Sequence, residues 1–155
     1  MEQTEFKQSM KNFILFSVGF CSYSIIEFLF RGYTFVTMGI VGGVAFWMID
    51  KINDKISWDM DIIVQGIMGS GIVTFWELLI GLVRLYKNLP PMWDYSNMPL
   101  NYKGIICVPF SLIWILVSIV GIFVADYINY YIFKEEPCPY YNLFGKTILR
   151  YPQDN

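Results

Sequence analysis

Long apolar runs separated by short polar segments set the first expectation for this chain. Residues 12–30 hold one ionisable side chain, Glu27; residues 62–83 hold only Glu77; residues 105–125 hold none. A helix needs about 20 such residues to cross roughly 30 Å of hydrocarbon, whereas a buried helix of a soluble domain shows runs of about 10–14. A fourth run, 33–49, is uncharged but shorter, a length that tilt against a thinner bilayer or flanking interfacial residues would accommodate. The pattern predicts an all-α, polytopic membrane protein: a single transmembrane domain over 1–155, folded as a compact bundle of four transmembrane helices. It leaves an ordered loop at 84–103 and a tail at 134–155.

The faces of these runs carry a second signal. At about 100° per residue, Gly66, Ser70, Thr74, Glu77, Gly81 and Arg84 fall within a sector of roughly 80°. That stripe is expected to face inward, because small residues let helix backbones approach where no hydrophobic effect drives helices together. Gly39 and Gly43 offer the same surface on the second run, and Gly104, Ser111, Ser118 and Ala125 recur every seven residues on the fourth.

Composition and charge sharpen the class. Apolar residues make up 55% of the 155 and charged residues 15%, too greasy a balance for an ordinary soluble domain. The opening MEQTEFKQSMK lacks the basic start and small-residue cleavage site of a signal peptide, so the first run reads as a permanent helix. Four spans put both termini on one side, with seven basic residues there (Lys7, Lys11, Lys51, Lys55, Lys134, Lys146, Arg150) against four across the membrane (Arg31, Arg84, Lys87, Lys103). The positive-inside rule then predicts a plasma-membrane protein with cytoplasmic termini and a cytoplasmic tail. Three cysteines without metal-ligand spacing read as packing residues, and the absence of histidine removes the usual haem and zinc ligands. No cofactor or metal is expected. A net charge of −2 with no basic cluster leaves no nucleic-acid footprint. GKT at 145–147 echoes a phosphate loop, but Tyr140 stands where the motif needs its first glycine. No nucleophile elbow or HExxH appears either, so the chain carries no catalytic signature.

The candidate chemistry lies in two acids. A carboxylate within a bilayer costs several kcal/mol unless paired, hydrated or neutralised, which makes Glu27 and Glu77 the functional candidates. Glu27 precedes Arg31 by four residues and Glu77 precedes Arg84 by seven, roughly 6 and 10 Å of helical rise. IIEFLFRG and FWELLIGLVR read as a weak helix-hairpin repeat that puts both acids near one leaflet, across a two-fold axis of the kind seen in transporters. The loop PPMWDYSNMPLNYKG emerges on the same side. Its prolines stiffen it, its Asp, Ser and Asn residues make turn hydrogen bonds, and Trp93 and Tyr95 anchor it, so it is expected to fold back as a cap. The expected substrate-binding pocket comprises Glu27, Arg31, Glu77, Arg84, Trp93, Asp94, Tyr95 and Asn101. Read structurally instead, the same residues are two Glu–Arg pairs that staple helices.

MWDYSNMPLNYKGIICVPFSLIW, preceded by TFWELLIGLV, resembles the signature of the small family labelled putative type IV ABC-transporter permeases. The resemblance spans about 21–133. The family pattern has an acid in its first span, where Glu27 stands, and a Trp-Glu pair in its third, at Trp76 and Glu77. The chain departs at Gly104-Ile105-Ile106-Cys107, where the family often has a glutamine. The resemblance implies a permease-like or transport-related protein in contact with membrane lipid, alone as a homo-oligomer or with a partner ATPase or other membrane subunit. Two other readings stay open at this point: a membrane enzyme acting on a lipid or isoprenoid head group with Glu27 or Glu77 as base, and a structural protein of holin type.

Overall fold

A computed structural model describes residues 2–135 and 137–153. The outermost residues of the expected 1–155 domain, and Glu136 within the tail, lie outside the described residues. Four helices carry the fold: α1 (Glu2–Arg31), α2 (Val36–Asn53), α3 (Ile62–Tyr86) and α4 (Val108–Tyr127), the last running on through a π-helical turn, Ile128–Ile132. Among the described residues, three apolar stretches are long enough to cross a membrane, Gln3–Arg31, Ile62–Tyr86 and Val108–Ile132. Helix α2 is shorter, at 18 residues, and carries Asp50 and Lys51 near its end.

Local chemistry sets the boundaries. Gly32 adopts φ +79° and its N–H bonds the carbonyl of Phe28, a glycine stop that ends α1 directly after Arg31. Asp61 caps α3 by accepting the Ile63 N–H. Helix α4 begins at Val108 with a proline in its first turn, so the first residues of the 105–125 run belong to a strand instead.

Helices α1 and α2 pack as an antiparallel pair through glycines. A Cβ on Gly42 would lie 2.3 Å from Tyr23 Cβ, and one on Gly43 would lie 2.6 Å from the Phe16 ring. Gly42→Val should therefore force the helices apart and cost about 1–3 kcal/mol, read as a lowered unfolding midpoint in detergent. Gly71 on α3, with nothing within 4 Å of a Cβ, is the control: Gly71→Ala should leave stability unchanged or raise it slightly.

The small and polar stripe of α3 lies against α4, as its spacing predicts. Ser70 Oγ donates to the Ser111 carbonyl at 2.6 Å, Thr74 and Ser111 hydroxyls lie 3.3 Å apart, and a Cβ on Gly69 would meet Ser118. The core between the pairs holds Met38, Ala45, Ile49, Val73, Trp114 and Ile122.

At the end of the bundle that carries the chain termini, the tail returns as a hairpin of β3 (Tyr140–Leu143) and β4 (Lys146–Arg150), which the sequence reading did not foresee. Tyr141 is fully buried against Phe123, and its hydroxyl donates to Asp126 Oδ2 at 2.7 Å. Phe144 and Gly145, both at positive φ, form the two-residue turn, so the GKT echo is a hairpin corner. Buried Lys11 pairs with Glu135 at 3.0 Å, and buried Asp50 accepts from Asn129 at 2.7 Å. All three cysteines are free.

Candidate functional site

At the opposite end, α1 and α3 run in the same sense and bring Glu27 and Glu77 to one cavity of about 380 Å³. Its floor and walls come from three helices. Tyr23, Glu27 and Arg31 recur at four-residue spacing and form one stripe of α1; Glu77 projects from α3; Phe110, Trp114 and Val117 face it from α4. Helix α3 runs on to Tyr86, past the expected loop start at 84, and the connection that follows it, 87–107, supplies the roof through Trp93, Asp94 and Tyr95.

Glu77 is 2% exposed, and its carboxylate is held by neutral donors. Tyr23 and Tyr95 hydroxyls donate to Oε1, each at 3.4 Å, and the Trp114 indole N–H donates to Oε2 at 3.2 Å. Arg84 is not its partner: that guanidinium turns outward and donates from Nε and Nη2 to the Pro90 carbonyl, at 2.9 and 2.6 Å. The sequence spacing put Arg84 on the same face of α3, yet the Pro90 carbonyl, in the loop that follows the helix, claims it. Among the described residues, no lysine or arginine forms an ion pair with Glu77.

Glu27 does pair with its arginine. Arg31 Nη2 donates to Glu27 Oε1, Thr34 Oγ1 donates to Oε2 at 2.6 Å, and Arg31 Nη1 donates to the Met92 carbonyl at 2.6 Å. One guanidinium therefore neutralises an acid of α1 and ties the roof to that helix. Arg31 Nε is buried without a hydrogen-bond partner.

The roof is ordered by its own chemistry. Asp94 Oδ1 accepts from both the N–H and the hydroxyl of Ser96, which holds its carboxyl below the usual range. Asn101 spans the loop: its amide donates to the Ser96 and Met98 carbonyls and its Oδ1 accepts the Gly104 N–H at 3.0 Å. Strands β1 (Asn101–Tyr102) and β2 (Ile106–Cys107) close this turn as a small antiparallel ladder, with Lys103 and Gly104 at positive φ. Trp93 Nε1 donates to the Ile105 carbonyl at 2.7 Å, and the Tyr95 ring stacks on Phe110 with centroids 4.5 Å apart. Burial and the nearby Glu77 raise the Tyr95 phenol well above its ordinary value, so it remains a donor to the carboxylate at any physiological pH.

Six of the eight residues expected at the pocket thus line one cavity: Glu27, Arg31, Glu77, Trp93, Asp94 and Tyr95. Arg84 stands in the last turn of α3 and holds the Pro90 carbonyl, and Asn101 works inside the loop's hydrogen-bond network. Sequence reasoning missed Tyr23 and Trp114, two of the three donors to Glu77. A signal was present. Tyr23 sits one turn before Glu27 on the same face, and Trp114 shares the Ser111–Ser118 face of α4 that meets α3.

Residues 13–149 match the model of a family described as putative ABC-transporter type IV. No curated protein and no solved structure matches the chain.

Proposed function

The chain belongs to the putative type IV ABC-transporter family, and from that premise we propose that the roofed cavity around Glu77 is the solute-binding site of a small permease-like protein. The coarser part follows from the family and the three membrane-length helices: this is a transport-related membrane protein. The observation that carries the finer reading is the state of Glu77. A carboxylate buried among three neutral donors, beside a cavity with room for an organic molecule, has the composition of a binding site.

The excess of basic residues on the terminal side supports cytoplasmic termini and so a cavity under the outer leaflet. In this reading the protein sits in the plasma membrane and works as an oligomer or with an ATPase or membrane subunit. The test is ligand capture. Wild-type and Glu77→Gln protein in neutral detergent are incubated with a small-molecule cell extract, washed and analysed by mass spectrometry. A compound enriched on wild type and at least tenfold less on the variant is the expected result. Equal profiles for two folded proteins would sink the proposal.

A further inference from the structure

The cavity does not end at its polar chamber. A second, apolar groove of about 140 Å³ runs beside it and shares Tyr23, Ile26, Trp114 and Val117 with it. The groove continues toward the middle of the bundle between α1 and α4, past Gly42 and Gly121. Val120 and Val124 on its rim are exposed, so it is open to the bilayer side. Helices α1 and α4 pack at the terminal end, where Leu15 is buried with Ala125 and Ile128, and at the roofed end they meet through rings, Tyr23 stacked on Trp114 at 5.4 Å and Phe30 edge-on to Phe110 at 5.7 Å.

Charge decides what the chamber accepts. Three carboxylates line it (Glu27, Glu77, Asp94) against one guanidinium, and Arg31 is taken by Glu27 and the Met92 carbonyl. The lining therefore has an excess of acid, with Glu77 as its buried, uncompensated member. Aromatic rings line the same chamber, Tyr23, Phe30, Trp93, Tyr95, Phe110 and Trp114, and three of them, Tyr23, Tyr95 and Trp114, touch that acid. Acid plus aromatic faces is the chemistry that holds an organic ammonium group. A bare metal ion is a poorer fit, because among the described residues no group of three carboxylate, cysteine or histidine ligands comes together.

Building on the solute-site reading, we infer that the occupant is an amphiphilic organic cation with a single apolar chain, its ammonium-type head beside Glu77 and its chain in the groove between α1 and α4. The narrow groove has the width for one alkyl or prenyl chain, which matches a single-chain amphiphile.

The test uses the full chain in neutral-lipid nanodiscs and probes kept below their micelle-forming concentrations. Dodecyltrimethylammonium, dodecanol and laurate share a chain length and differ in head charge; tetramethylammonium has the head alone. Binding is read by native mass spectrometry and by tryptophan fluorescence, since Trp93 and Trp114 flank the chamber. Dodecyltrimethylammonium should bind wild type at least tenfold more tightly than dodecanol or laurate, and Glu77→Gln should remove that preference. Gly121→Leu, which fills the groove outside the chamber while keeping Glu77, should abolish the advantage of the long chain and retain tetramethylammonium. This second variant keeps the inference testable if Glu77→Gln folds poorly. Equal binding of all three heads, or a dodecyl advantage that survives Gly121→Leu, overturns the inference. If none of the probes binds while the extract still yields a Glu77-dependent ligand, the cation assignment falls and the solute site stands; loss of the extract ligand as well removes both.

Discussion

Glu77→Leu is expected to destabilise the protein by about 2–4 kcal/mol, measured as a shift in its unfolding midpoint in detergent. The sign follows from what the substitution leaves behind. Three donors, the Trp114 indole N–H and the hydroxyls of Tyr23 and Tyr95, share this one carboxylate. A buried donor stripped of its acceptor costs about 1–3 kcal/mol. The two hydroxyl bonds are long, at 3.4 Å each, so they contribute at the low end, and the leucine side chain returns some apolar burial. Glu77→Gln keeps one acceptor oxygen and should cost about 1 kcal/mol, which is why it is the variant for binding measurements. Adding Trp114→Phe to Glu77→Leu removes one orphaned donor and should recover about 1 kcal/mol, an interaction energy that a double-mutant cycle isolates. A Glu77→Leu protein as stable as wild type would mean that the donors have other acceptors and that the cluster is not organised around the acid.

The contrast between Glu77 and Arg84 shows what the sequence can and cannot carry. Intramembrane acids are legible because their cost makes them rare, and the helical period puts Gly66, Ser70 and Glu77 on one face without reference to any other element. The loop over the cavity was legible for a similar reason. Its prolines, tryptophan and turn-forming Asp94 and Asn101 are costly to leave disordered. Partner choice was not legible, because it is tertiary: Tyr23 comes from α1 and Trp114 from α4, while a chain-local rule offers Glu77 only Arg84. The start of α4 slipped for a local reason that competes with hydropathy. Hydropathy extends the helix back to Ile105, but Pro109 belongs in a first turn and Gly104 at φ +67° belongs in a corner. The tail hairpin was hidden because its first strand does not alternate. Tyr141 and Asn142 are both buried, with a register shift between them, so no period of two appears in the sequence.

Arg31→Ala should have the other large effect, and it separates a helix staple from a roofed site. The guanidinium holds Glu27, a side chain only 11% exposed, and the Met92 carbonyl of the roof. Removing it leaves a mostly buried carboxylate with Thr34 as its remaining donor, a loss of about 2–4 kcal/mol given that breaking a fully buried pair costs about 3–5. The roof also loses its tie to α1, so amide exchange over 92–98 should accelerate at least tenfold while the α3–α4 contact around Ser70 stays protected. The double variant Glu27→Leu, Arg31→Leu resolves the two roles. It has no orphaned charge, so most of the stability should return, since an apolar pair often matches a buried ion pair. The Met92 carbonyl still lacks its donor, so exchange over 92–98 should remain fast. A staple whose whole effect is on helix association would instead restore both readouts together, and fast exchange that persists in a stable protein would identify Arg31 as the latch between the roof and the first helix.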